Sequence, residues 1–171
     1  MFVELHASSA FSFLRGASLP EALVDRAADL GYDTMALVDR DGVYGAPRFH
    51  KAARAAGIRP IIGAALTLAL PSGLTLPVLC ENATGYQNLC RLITRMKLGA
   101  AASVRQGDDA PELLRKGTGE AALSLDDLDG HVSGLVALIG RPILELQRVG
   151  VSGVVDRLVG TFGRQGVCVE L

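Results

Sequence analysis

Imidazole, carboxylate and guanidinium groups recur in this chain at points where apolar runs stop. The first is His6. Phe2-Val3-Glu4-Leu5 alternates apolar and polar as a short strand does, and at His6 the pattern gives way to the small residues Ala7, Ser8 and Ser9. In α/β proteins the carboxyl ends of strands collect binding and catalytic groups, so His6 has the position of a functional imidazole; an ordinary hydrogen-bonded histidine fits the same place. The second group is Asp39-Arg40-Asp41-Gly42, directly after the apolar run Met35-Ala36-Leu37-Val38. Two carboxylates one residue apart can ligate a divalent cation or fix a histidine tautomer, and equally they can cap a turn and pair with Arg40. Asp before Gly is common loop chemistry and favours the turn. Arg48, Lys51 and Arg54 form a third group at three-residue spacing. They suit a phosphate backbone or a solvated helix face, and the chain's charge balance favours the face.

The elements that must position these groups follow from periodicity. Ser18-Leu19-Pro20-Glu21 has the form of a capping box and predicts a helix with Leu23, Ala27 and Leu30 on one face, stopped at Gly31. Thr34 to Val38 reads as a buried parallel strand. Pro47 near a helix start, with Phe49, Ala52, Ala53 and Ala56 as the apolar stripe, predicts a second helix closed by Gly57. Residues 58 to 70 read as a third strand and Pro71-Ser72-Gly73 as the turn to a fourth, Leu74 to Cys80, which makes a hairpin on an otherwise parallel plan. Thr84-Gly85-Tyr86-Gln87 is another capping box, and Leu89, Leu92, Ile93 and Met96 give its helix an apolar face, with Arg91, Arg95 and Lys97 near the C-terminal end.

From Gly99 to Ala122 no sustained period remains, which predicts a long variable surface loop with one helical turn at Pro111 to Arg115. Ser124 to Leu128 reads as a short capped helix, Leu135 to Ile139 as a buried strand, and His131 falls in an expected exposed turn. A last helix carries Val154, Val155, Leu158, Val159 and Phe162 to Gly163, and Val167 to Leu171 begins a strand. A buried-type strand meeting the chain end suggests truncation, and an incomplete barrel is expected to expose an unpaired edge.

Composition sets the outer bounds. The 171 residues, 49% apolar with a mean hydropathy of +0.32, suffice for one domain with a core. A net charge of -1 supplies no global field for nucleic acid, so any DNA contact must be local. Cys80, Cys90 and Cys168 show no CxxC spacing and leave an odd count, which fits a reducing cytoplasm better than a disulfide framework or cysteine-rich zinc site. No leader and no membrane-length apolar run is visible, so a soluble cytoplasmic protein is expected, with no membrane partner.

The strand ending in His6, the strand ending in Asp39-Arg40-Asp41-Gly42 and the block Arg59-Pro60-Ile61-Ile62-Gly63-Ala64-Ala65 resemble the PHP (polymerase and histidinol phosphatase) domain. Phe11-Ser12-Phe13-Leu14-Arg15-Gly16-Ala17-Ser18, Val43-Tyr44-Gly45-Ala46-Pro47-Arg48-Phe49 and Gly85-Tyr86-Gln87-Asn88-Leu89-Cys90-Arg91-Leu92-Ile93 resemble the N-terminus of bacterial C-family DNA polymerase alpha subunits, closest to the error-prone branch. The resemblance covers residues 1 to 171 and is weakest at 99 to 122. It implies an α/β fold, a partial distorted (β/α) barrel of mostly parallel strands with one hairpin, continuing in the family beyond this chain.

The resemblance also implies a cluster of metal ions at the strand ends of active members. Of the positions it assigns, His6 is retained, whereas Ser8, Arg15, Arg40 and Ala65 stand where the family has a histidine, an acidic residue or histidine, a histidine and a glutamate. Hydroxyl and methyl groups are no substitute for imidazole or carboxylate, and guanidinium puts fixed positive charge where a cation would sit. No metal is therefore expected, with His6, Asp39 and Asp41 as residual candidates, and Arg15 or Arg40 is expected to pair with Asp39 and Asp41. No catalytic residue is assigned. The implied role is a structural PHP domain of an error-prone DNA polymerase whose magnesium-holding carboxylates lie elsewhere in the chain. Its implied partners are the remaining polymerase chain, DNA through the parent enzyme, and accessory repair factors. The alternatives are a stand-alone metal-dependent phosphoesterase and a protein-interaction module of a repair complex.

Overall fold

A computed structural model describes residues 3–70, 73–105, 121–148 and 153–170. A six-stranded sheet in the order β1-β2-β3-β4-β5-β6 curls into a half-barrel, its strands being β1 (Glu4–Ala7), β2 (Thr34–Arg40), β3 (Arg59–Thr67), β4 (Thr75–Cys80), β5 (Leu135–Ile139) and β6 (Val167–Val169). β1, β2 and β3 run parallel, β5 and β6 run parallel, and β4 is antiparallel to both its neighbours. The expected α/β architecture of mostly parallel strands with one hairpin is therefore present. The helices are α1 (Pro20–Asp29), α2 (Ala46–Ala55), α3 (Ala83–Arg105), α4 (Arg141–Arg148) and α5 (Val154–Phe162), with short 3-10 turns at Leu125–Leu128 and Arg164–Gly166. None of the described helices is long and apolar enough to cross a membrane.

Alternation along the strands builds two faces. Met35 and Leu37 pack with Val24, Ala27, Phe49 and Ala53 beneath α1 and α2. Ala36 and Val38 turn the other way and join Ala65, Leu79 and Leu138 on the concave face. A larger cluster seats Leu89, Leu92 and Met96 of α3, with Ile143 and Leu158, on β3, β4 and β5. The continuous apolar reading of β2 thus reflects burial on both faces.

Several elements differ from their sequence-based outlines. β1 runs one residue past His6, and β2 extends two residues beyond Val38 to include Asp39 and Arg40. In α1, Val24 and Ala27 are buried while Leu30 is half-exposed, and Leu19 occupies the N-cap without a side-chain bond. Ser18 instead accepts the Ala10 N–H on its carbonyl at 2.8 Å, which draws it into the preceding loop. The cap of α3 comes from Asn82, whose Oδ1 accepts from Gly85 N–H at 3.0 Å, and not from Thr84.

α3 continues through Gly99 to Arg105, so the first part of the expected loop is helical; the expected turn at Pro111 to Arg115 lies outside the described residues. α4 had no counterpart in the sequence reading. His131 is half-buried, not exposed, and its Nδ1 is shielded with no hydrogen-bond partner among the described residues.

Candidate functional site at the strand ends

The carboxyl ends of β1, β2, β3, β5 and β6 and the start of β4 lie at one end of the sheet, and the sequence-predicted polar groups divide there into two sets. The larger set surrounds the end of β2. Asp39 is 1% exposed, and its Oδ1 accepts from Ser9 N–H at 2.7 Å and from Ser12 Oγ at 2.7 Å. Ser9 Oγ lies 3.0 and 2.8 Å from the two carboxyl oxygens. Alternation puts Asp39 on the side of Leu37, toward α2, and away from the concave face. Its carboxyl thereby anchors the loop from 8 to 18 above it.

Arg40 points the other way. Its backbone N–H donates to Ser12 Oγ at 3.0 Å, and its Nε donates to Thr67 Oγ1 at 3.3 Å and lies 3.5 Å from Asp41 Oδ2. Asp41 has a left-handed backbone with φ 52°, tolerable for an Asp in a turn. Its two carboxyl oxygens accept from Thr67 N–H and Thr67 Oγ1, each at 2.7 Å, and its own N–H donates to Ala65 carbonyl at 3.0 Å. The expected pairing of arginine with aspartate is therefore found between Arg40 and Asp41, whereas Asp39 is held by serines. Arg15 is exposed in the loop, Ser8 donates its hydroxyl to Val38 carbonyl at 3.0 Å, and Ala65 pairs with Arg40 in the β2–β3 ladder.

His6 belongs to the second set. Glu4 pairs with Met35 and Ala7 with Leu37, so three steps along β1 answer two along β2. In keeping with such a bulge, Leu5 joins the concave cluster and Ala7 the helix-side cluster, although residues two apart normally share a face. The His6 Nδ1 lies 3.0 Å from both carboxyl oxygens of Glu170, just past β6, and the two side chains are about one-third exposed (34% and 35%). The outer strands of the half-barrel are thus tied to each other by one imidazole and one carboxyl.

Glu170 escaped the sequence reading, although the signal that singled out His6, a polar group after a short apolar strand, applies to it as well. Ser9, Ser12 and Thr67 also escaped, because lone hydroxyl residues carry no spacing signature. Among the described residues no group of three or more His, Cys, Asp or Glu side chains converges on a point suited to a metal ion. Burial, with a smaller contribution from Cys90, pushes the Cys80 thiol up to about 12, far from a reactive thiolate.

The PHP domain family matches residues 4–171. The chain belongs to the PHP domain family. This PHP domain is 40% identical over 169 residues to an error-prone DNA polymerase of Corynebacterium efficiens, covering 99% of the chain but 14% of that relative. An error-prone DNA polymerase of Anaeromyxobacter sp. (strain K) is 38% identical over 168 residues, with 96% and 13% covered, and one of Mycobacterium bovis is 38% identical over 139 residues, with 77% and 13% covered. The PHP domain therefore spans about one-seventh of the length of the first of these curated relatives. Among solved structures, it is similar to a protein named as a metal-dependent phosphoesterase from Bifidobacterium adolescentis, with TM-score 0.56, 12% identity, and 98% of this chain and 85% of that chain covered. An amidohydrolase from Chromobacterium violaceum gives TM-score 0.54 at 20% identity, with 98% and 84% covered. At these identities the structural likeness concerns the fold.

Proposed function

We propose that this PHP domain is a structural, non-hydrolytic part of an error-prone DNA polymerase. The observation that carries the reading is the fate of the β2 end. Arg40 occupies the position turned toward the concave side and lies against Thr67 and Asp41, while the Asp39 carboxyl is occupied by Ser9 and Ser12. With Ser8 bonded to a backbone carbonyl and Ala65 offering a methyl group, these residues do not fit a metal cluster, and no hydrolytic step is derived through one. The polymerase assignment is supported by relatives that align along almost the whole chain.

In that setting DNA synthesis, and the magnesium it requires, belong to carboxylates outside these residues. The remaining polymerase chain is the immediate partner, DNA and repair factors are engaged through the parent enzyme, and the location is the cytoplasm. The test combines elemental analysis with an assay of the purified chain on a generic phosphate ester plus manganese or zinc. Substoichiometric metal and no metal-dependent turnover are expected. Stoichiometric transition metal with turnover would overturn the reading in favour of a metal-dependent phosphoesterase.

A further inference from the structure

The loop from 8 to 18 combines a hydrogen-bonded frame with strongly exposed apolar side chains. Phe13 is 84% exposed and Leu14 is 92% exposed, while Tyr44, on the neighbouring loop after β2, is 63% exposed. Exposed apolar residues in a loose loop can fold back on the surface. This loop cannot. Ser9 and Ser12 are fixed on Asp39, Ala10 N–H donates to Ser18 carbonyl at 2.8 Å, and Arg15 and Gly16 N–H donate to Ser12 carbonyl at 2.8 and 3.0 Å. At Gly16 a β-carbon would overlap the Ser9 carbonyl, so the closure admits only glycine.

Beneath the loop, the Phe11 ring carries the Arg48 guanidinium 5.8 Å from its centroid. Leu14 adopts a left-handed backbone, φ 61°, an unfavourable conformation for a branched side chain. The fold thus accepts strain at Leu14 while displaying it and Phe13 to solvent.

We infer that Phe13 and Leu14 are a docking knob that seats against the remainder of the polymerase chain. The inference rests on the proposed polymerase reading. The match covers 14% and 13% of two curated relatives, so most of such a polymerase lies outside these residues and is available to cover the knob. Single exposed apolar residues are ordinary, but adjacent ones on a braced loop mark an interaction surface. Exposed Arg15 at the rim favours a partner surface with acidic residues around an apolar pocket. Aromatics beside arginine also suit stacking on DNA bases. That reading is weaker here, because Glu21 pairs with the nearby Arg48 through bonds of 2.7 and 3.0 Å and the chain's net charge is -1.

The test uses the full-length polymerase that carries this domain, with photoreactive benzoylphenylalanine in place of Phe13. The expected result is a cross-link to the same chain at a position beyond residue 171. The double substitution Phe13→Glu, Leu14→Glu is expected to lower the thermal midpoint of the full polymerase by several degrees. A cross-link only to primer-template DNA or to a second polypeptide would overturn the inference. So would the absence of any cross-link with an unchanged midpoint. Primer extension by the full chain is read separately: its loss in the unmodified protein would defeat the polymerase reading, whereas the cross-link reports the knob alone.

Discussion

Asp39 shows what one carboxyl group can hold. It is buried, and its oxygens collect a backbone N–H and two serine hydroxyls from a loop that precedes it by about thirty residues in the chain (27 and 30 for the two serine positions). Removing it strands buried donors, each of which costs about 1 to 3 kcal/mol when unsatisfied. Asp39→Ala is therefore expected to destabilise the domain by about 3 kcal/mol, read from the urea midpoint, and to speed amide exchange across residues 9 to 16. Asp39→Asn keeps one acceptor and is expected to cost less. Equal losses for the two variants would show that the serine bonds contribute little.

The elements lock together through contacts that intrinsic propensity does not foresee. Alanine ordinarily improves on glycine inside a helix by about 1 kcal/mol. At Gly85, in the first turn of α3, a β-carbon would instead overlap the Gly134 carbonyl that precedes β5. Gly85→Ala is expected to lower the thermal midpoint, and a rise would disprove the close approach. A second lock joins the 3-10 turn to α3. Ser124 and Asp127 form a reciprocal capping box, and Arg95 of α3 lies 2.9 Å from Asp127.

Burial alone would raise the Asp127 pKa; hydrogen bonds from the Ser124 hydroxyl and N–H, with the Arg95 charge, overcome it and hold the carboxyl below the usual range. A depressed carboxyl pKa stabilises the fold at pH values above the ordinary pKa, and this contribution is lost as pH falls through the folded-state value. The stability advantage over Asp127→Asn is thus expected in full at pH 7 and to shrink as pH drops below about 4. A gap independent of pH would exclude the mechanism. The Ser124 to Leu128 turn was legible because its partners are three residues apart, and β2, α2, β5 and α5 were legible because their periods are set by their own burial. The true caps at Asn82, the bulge at Leu5 and His6, the Asp39 anchors and α4 were not, because tertiary contacts choose them.

At the scale of the whole molecule, His6 on β1 and Glu170 just past β6 join the sheet's two outer strands through their side chains at the strand-end site. Partly exposed pairs of this kind contribute about 0 to 1 kcal/mol. Glu170→Gln is accordingly expected to shift the global midpoint by less than that amount while increasing exchange at β1 and β6. A loss of several kcal/mol would mean that the pair closes the half-barrel energetically as well as geometrically. The separation of the partners, 164 positions along the chain, also has a consequence for biogenesis. On a translating ribosome the carboxyl follows the imidazole by roughly ten to thirty seconds at ordinary elongation rates. Throughout that interval the His6 imidazole stands without its carboxyl, so the two ends of the half-barrel are joined after the strands between them have been made.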